Sequence, residues 1–134
     1  MTFYLCLDDR NGMRFNNRRQ SRDALVLEDI RSSVNQELTI EPFSETLVAQ
    51  SGIPYVLAPE DWTTLPPDAH FFLETGPHNA AELADTLVVY RWNRHYPADV
   101  FWNVNYADLG YSLAEIREFP GTSHDRITKE VYKR

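Results

Sequence analysis

The strongest candidate for chemistry in this sequence is a cluster of arginines near its beginning. No Asp or Glu lies between Asp9 and Asp23, and the intervening segment holds five basic residues: Arg10, Arg14, Arg18, Arg19 and Arg22. Guanidinium groups bind phosphate and carboxylate oxygens through paired hydrogen bonds. We therefore interpret the segment as a flexible anion clamp, with Arg14, Arg18 or Arg19 closing over a ligand. The alternative is a solvated loop whose arginines pair with the protein's own acids.

The middle of the chain has the opposite charge. No Lys or Arg occurs between Arg31 and Arg91, although nine acidic residues do: Glu37, Glu41, Glu45, Glu60, Asp61, Asp68, Glu74, Glu82 and Asp85. The formal net charge of the whole chain is -7. Nucleic-acid-binding domains usually carry a basic surplus, so this balance argues against a nucleic-acid partner.

Two other clusters could bind a metal or act as a nucleophile. His70, Glu74 and His78 are spaced by four, which on one helix would suit zinc. Residues 75–77, Thr-Gly-Pro, break any such helix, so we expect no metal site. Cys6 lies inside an apolar strand pattern, which favours a buried small hydrophobe over a reactive thiol.

The second half of the chain offers a possible stacking face and a possible serine–histidine pair. Aromatic residues interleave with Arg91 and Arg94, but we expect Trp92 and Trp102 to pack in or beside the core. Ser123 and His124 are adjacent, and neighbours on a strand point to opposite faces. We expect them to cap or solvate a turn.

The elements that must position these residues follow from hydrophobic patterning and from Gly and Pro. The predicted strands span residues 2–7, 38–40, 53–57, 70–73, 86–92, 100–104, 111–119 and 127–132, and the predicted helices 22–35, 44–49 and 79–84. The C-terminal segment, residues 127–132, also suits a helix. The order predicts one α/β domain over residues 1–134, with a mostly parallel mixed sheet, flanking helices and a C-terminal hairpin. Ligand sites in such sheets lie beyond the carboxyl ends of the strands.

This order, together with several strings, resembles the dihydrofolate reductase family over nearly the whole chain. FYLCLDDRNGM resembles its first strand and mobile loop, and SRDALVLEDI the helix whose acid binds the pterin ring, at Asp23. LTIEPFSETLV resembles the second strand and cofactor-phosphate helix, with Ser44 retained. HFFLETGPHNAAELADTLVVYRW, DVFW and YSLAEIREF resemble the later strands, with Gly76 in the glycine pair. The resemblance implies a shortened reductase fold that lacks one helix and one strand.

The departures from that family concern its cofactor. Glu41 and Pro42 stand where the family has Gly-Arg, and Thr75 replaces one glycine of the pair. Burying a phosphate against unpaired carboxylates costs several kcal/mol, roughly. NADPH is therefore disfavoured. We expect a small anionic or heterocyclic ligand between the arginine segment and the first helix, with Asp23 accepting a ring N–H.

Three alternatives to this binding protein remain open. One is an NAD(P)H-dependent reductase, and another is a homodimeric interaction module that uses the C-terminal strands as an edge. CLDDRNGMRFNNRRQSRD and FPGTSHDRITKEVY also resemble small bacterial proteins labelled ribonuclease Z. That enzyme needs a His-x-His-x-Asp-His run for two metals, which this chain lacks, so the sequence argues against the label.

The remaining composition bears on location. The single cysteine excludes a disulfide framework and fits a reducing compartment. No apolar run approaches the roughly 20 residues of a membrane span. The N-terminal apolar stretch is too short for a secretory signal. We therefore expect a cytoplasmic protein with no membrane contact.

Overall fold

The computed structural model describes all residues, 1–134, as strands, short helices and connecting turns. The strands are β1 (Thr2–Leu7), β2 (Gly12–Phe15), β3 (Arg18–Arg19), β4 (Leu38–Ile40), β5 (Tyr55–Leu57), β6 (His70–Phe72), β7 (Thr86–Arg91), β8 (Val100–Phe101), β9 (Ser112–Phe119) and β10 (Ile127–Lys133). The helices are α1 (Ala24–Ser33), α2 (Glu45–Ser51) and α3 (Ala80–Leu83), with 3₁₀ turns at Pro42–Ser44 and Trp62–Thr64.

Seven strands form the main sheet, in the order β5-β4-β6-β1-β7-β10-β9. β1 lies at its centre and pairs in parallel with β6 and β7. A central parallel strand is covered on both faces, which explains why β1 reads as a continuous apolar run. Phe3, Leu5 and Leu7 pack into the core on one face, and Tyr4 into the core on the other. The predicted mixed, mostly parallel sheet is confirmed.

The C-terminal segment is a strand. β10 pairs antiparallel with both β7 and β9, and an irregularity in the β9 register falls between Val131 and Tyr132. The predicted closing hairpin is therefore present, and the helical alternative for residues 127–132 is wrong. The four-residue spacing of Ile127 and Val131 fits a strand because residues four apart in a strand also share a face.

Helix α1 covers one face of the sheet through Val26, Leu27 and Ile30. It begins at Ala24, with Asp23 as its N-cap, two residues later than predicted. Asp23 has extended backbone angles (φ -151°) and its carboxylate accepts the Leu25 N–H, which satisfies one of the free donors of the first turn. Gly52 ends α2 in a left-handed conformation (φ 76°), as its position predicts.

The arginine segment is not a flexible loop, and this corrects the sequence prediction. β2 and β3 form a hairpin, and β8 joins them in a separate three-stranded sheet of order β3-β2-β8. Asn16 and Asn17 at the turn both have positive φ, 51° and 57°, as a tight hairpin turn of this type needs. Hydrophobic patterning does not predict this hairpin, because its strands carry arginines where an alternating apolar pattern would be needed. β8 is also shorter than predicted, covering two residues of 100–104.

The helices are short throughout. None of them has the length and apolar character that crossing a membrane would require.

Candidate functional site

At the carboxyl end of β6, a partly buried ion pair joins the arginine hairpin to the main sheet. The Arg19 guanidinium donates to both carboxylate oxygens of Glu74, at 2.5 and 2.6 Å. Ser44 Oγ donates to the same carboxylate at 2.6 Å. Two of the predicted site residues, Arg19 and Ser44, are thus brought together. Both bond the protein's own Glu74 carboxylate and do not face an open ligand pocket. Paired charge-assisted bonds of this kind hold the hairpin in place.

The Glu41 carboxylate accepts hydrogen bonds from the backbone next to this ion pair. Its Oε1 accepts the backbone N–H groups of Glu74 and Thr75, at 3.1 and 3.3 Å, and its Oε2 accepts the Thr75 hydroxyl. Consecutive backbone N–H groups at a strand end form a natural anion-binding site. Here a carboxylate of the chain fills that position, and Glu41 is itself buried.

Arg14 lies directly opposite Arg19 in the hairpin register. Both guanidinium groups sit over the Phe43 ring, 5.6 and 5.3 Å from its centroid. Like charges opposite each other destabilise a strand pair unless something neutralises them. Glu74 neutralises Arg19, whereas Arg14 forms no ion pair and its buried Nε has no hydrogen-bond partner. Arg18, on the same hairpin, is exposed.

Asp23 holds two segments of the fold together. Oδ1 accepts the backbone N–H groups of Leu25 and Thr122, and Oδ2 accepts the Ser123 N–H and His124 Nδ1. Burial raises the pKa of this carboxyl, but the four hydrogen bonds outweigh burial and lower it to about 2. With four acceptor sites used, a ligand N–H would have to displace one of the chain's own donors.

A cleft opens between α1, α2 and the turn before β10. Its outer groove, about 280 Å³, is lined by Arg22, Asp23, Ala24, Leu27, Leu47, Gln50, Ser51, Thr122 and Ser123. The inner part reaches Cys6, Arg19, Glu74 and Trp92 but leaves only about 10 Å³ free, room for about one water molecule. We call the two parts together the α1–α2 cleft. It lies at the carboxyl ends of β1 and β6, where the sequence places the ligand site.

Gly76 lines neither part of this cleft, whereas Cys6 lines its inner part. Gly76 is buried, and a Cβ there would meet Val100 Cγ1 at an ordinary 3.5 Å. Cys6 lines the inner cleft, and burial raises its thiol pKa well above the usual value, which disfavours the reactive thiolate. The chain contains no group of three or more His, Cys, Asp or Glu side chains placed to hold a metal ion.

One cluster was missed by the sequence analysis. His124 Nε2 lies 3.1 Å from Ser21 Oγ, while its Nδ1 faces Asp23. Ser21 and His124 are 103 residues apart. The sequence considered only the adjacent Ser123 and expected both residues to cap or solvate a turn. Ser123 contributes its backbone N–H to Asp23, whereas His124 is buried. No local signal marks such a long-range contact. Trp92 stacks on the His124 ring, 4.6 Å between centroids, and is buried as expected.

The sheet order, the crossover helices and the cleft together define a dihydrofolate reductase-like fold. Among solved structures, the chain is similar to dihydrofolate reductase from Enterococcus faecalis complexed with NADP(H) and RAB-propyl, with a TM-score of 0.69. The match covers 99% of this chain and 95% of that one, at 8% sequence identity. No protein-family model matches the sequence, and no curated protein matches it either. The fold expectation is confirmed.

Proposed function

We propose that this protein binds a small organic anion, such as a carboxylated heterocycle, where the arginine hairpin meets the α1–α2 cleft. The observation that carries the proposal is Arg14, whose buried Nε lacks an acceptor beside a second guanidinium. A carboxylate or phosphate oxygen would supply that acceptor and offset the repulsion between Arg14 and Arg19.

The surroundings of Arg14 favour a ligand with a planar part. Phe43 lies under both guanidinium groups, and Arg19 extends from there into the inner cleft. Arg14 itself lines neither part of the cleft, and Arg19 connects the hairpin to it. The outer groove contributes Leu27 and Leu47 as apolar walls. Its volume is near the lower end of small-molecule sites, about 300 Å³, which favours a ligand the size of a single fused ring system. Asp23, with its carboxylate engaged internally, is not part of this proposal.

The residues present do not fit a nicotinamide dinucleotide. The backbone N–H groups of Glu74 and Thr75 already bond the Glu41 carboxylate, and Glu74 lies next to them. A diphosphate in this position would face two carboxylates, of which only Glu74 has an arginine partner. This arrangement supports the binding hypothesis over the reductase alternative.

Titration calorimetry with pterin-6-carboxylate, dihydrofolate, NADPH and NADH tests the proposal. We expect binding of a carboxylated pteridine, and a 10- to 100-fold weaker affinity, roughly, in Arg14→Met, because a charge-assisted hydrogen bond is lost. Arg31→Met is the matched control, since Arg31 is exposed on α1 and pairs only with Glu28.

Two results would contradict this proposal. One is that neither pteridine gives a binding heat at a ligand concentration of about 1 mM, because a Kd above that value is too weak for a specific site. The other is an equal effect of Arg14→Met and Arg31→Met. Saturable NADPH binding would instead revive the reductase alternative.

A second candidate function, self-association, is favoured by the edge strand β9. Seven of its eight residues are exposed, including Leu113 and Ile116 at 50% and 60%. Long exposed apolar edges are rare in proteins that work as monomers. We propose an antiparallel pairing of two β9 strands about a two-fold axis at Ile116. Glu115 of one copy would then lie opposite Arg117 of the other, which also forms an ion pair with Asp29 of its own chain.

Light scattering and sedimentation test this pairing. We expect a dimer that Ile116→Lys dissociates, because the substitution places two like charges on the axis. Leu57→Lys, on the three-residue edge strand β5 at the other side of the sheet, is the matched control and should leave the dimer intact. A monomeric wild type, or a dimer lost only in Leu57→Lys, would reject the β9 interface.

A further inference from the structure

Three side chains near the start of α1 form a linear hydrogen-bonded chain. Ser21 Oγ lies 3.1 Å from His124 Nε2, and His124 Nδ1 lies 3.0 Å from Asp23 Oδ2. The side chains of His124 and Asp23 are 1% and 0% exposed, whereas Ser21 is only partly buried. A hydroxyl, an imidazole and a buried carboxylate in this sequence are the parts of an activated serine nucleophile.

The surroundings fix the histidine in the productive form. Asp23 also accepts three backbone N–H groups, so it is held as a carboxylate acceptor. The Nδ1 atom facing it must then donate, which leaves the Nε2 lone pair directed toward Ser21. Trp92 stacks on the ring at 4.6 Å with planes 20° apart and limits its rotation.

Backbone donors lie next to Ser21, and an open groove lies beside its neighbours Gln20 and Tyr96. The backbone N–H groups of Arg22 and Asp23 donate to no acceptor in the chain. The N–H after a nucleophilic serine is a frequent oxyanion donor. Ser21 itself lines the narrow inner cleft. A groove of about 280 Å³ reaches the cluster through Gln20, next to Ser21 in sequence, and through Tyr96, whose hydroxyl contacts His124. Arg18 is exposed there and forms no ion pair, which would suit a negatively charged substrate.

We propose that Ser21, His124 and Asp23 hydrolyse small carboxylic esters that carry a negative charge. Ser21 Oγ attacks the ester carbonyl carbon while its proton passes to His124 Nε2. The ester C–O bond then breaks, and the leaving alkoxide takes that proton, giving an acyl-Ser21. Water attacks the acyl group, loses its proton to His124 and releases the acid, which restores the Ser21 hydroxyl. Asp23 acts as a positioning residue.

Tyr96 shares the histidine. Its hydroxyl lies 3.0 Å from His124 Nε2 and 3.5 Å from Ser21 Oγ. In the resting protein the two hydroxyl groups compete for one lone pair. Removal of the tyrosine hydroxyl leaves Ser21 as the sole donor, so Tyr96→Phe should retain or increase the reactivity of Ser21.

The test is covalent labelling of the full chain with diisopropyl fluorophosphate, read by intact mass and peptide mapping. We expect one adduct, on Ser21, in the wild type and in Ser32→Ala, whose serine is exposed on α1. Ser21→Ala should lose the adduct, and His124→Gln should slow its formation at least 100-fold. Hydrolysis of mono-p-nitrophenyl succinate should fall at least 100-fold in Ser21→Ala, and Arg18→Met should raise KM for this ester but not for neutral p-nitrophenyl acetate.

The outcomes separate a catalytic from a structural cluster. Circular dichroism of each variant establishes that it is folded, and Ser21→Ala removes only one partly buried hydroxyl group. The absence of any adduct on Ser21 at millimolar reagent, an adduct on Tyr96 instead, or labelling of Ser21 that persists at the wild-type rate in folded His124→Gln would each overturn the proposal.

Discussion

Asp23→Asn is expected to lower the free energy of unfolding by about 3 kcal/mol, because it removes a buried charge on which four donors converge. The amide can accept from Leu25 and Thr122, but its NH₂ group faces the Ser123 N–H and His124. Donors then oppose donors in a site with no solvent exposure. Urea unfolding at pH 7 measures the difference.

Asp125→Asn is the control for this change. Asp125 lies beside the same turn but is exposed, so its variant should stay within about 0.5 kcal/mol of the wild type. Equal stability of the two variants would show that the Asp23 contacts contribute little to folding.

The acid dependence of stability provides an independent check on the same carboxylate. Its folded pKa, about 2, lies below the ordinary value of 3.8. The carboxylate of the folded state therefore takes up its proton at a lower pH than that of the unfolded state. The stabilisation is complete above pH 4 and is lost as the pH falls toward 2. A shift of this size corresponds to about 2–3 kcal/mol. The wild type should lose that much more stability than Asp23→Asn between pH 5 and pH 2.

Gly121→Ala is expected to lower the free energy of unfolding by about 2–4 kcal/mol, from overpacking and disturbed hydrogen bonds. A Cβ at this position would lie 2.3 Å from Asp23 Oδ2 and 2.9 Å from its Cγ. The Asp23 carboxylate cannot move aside without weakening the four hydrogen bonds that it accepts. Thermal and urea unfolding should both show the loss.

Gly76→Ala is the matched control for this substitution. The added methyl would meet its neighbours only at 3.5 Å or more, so a change below about 1 kcal/mol is expected. Comparable losses in both variants would indicate a general intolerance of alanine at these glycines and not a specific contact with Asp23. Since Gly76 is also a predicted ligand residue, this variant should be carried through the calorimetry as well.

The sequence by itself determined the main sheet and its covering helices. Periodic apolar residues mark β1, β7 and α1 within two residues of their observed ends, because those segments bury one or two faces in the core. The Gly52 stop of α2 and the closing hairpin follow from local conformational preferences of the same kind.

The charged segments needed the tertiary structure. The arginine hairpin carries no alternating apolar pattern, so only its pairing with β8 and the Arg19–Glu74 bond show that it is ordered. Which acid partners which base depends on a contact across 55 residues. For that reason an anion clamp could be predicted from the sequence. The neutralisation of Arg19 by Glu74 and the lack of an acceptor at Arg14 could not.

The role of Asp23 shows the same division. The predicted helix 22–35 places Asp23 in its first turn, where a negative charge is favourable. The structure places it instead at the N-cap of α1. Its contacts with the turn at residues 122–124 and the approach of His124 to Ser21 depend on how β9 and β10 return to the start of α1. Local preferences and burial are written in neighbouring residues, whereas the partners of polar side chains are set by chain segments that meet only after folding.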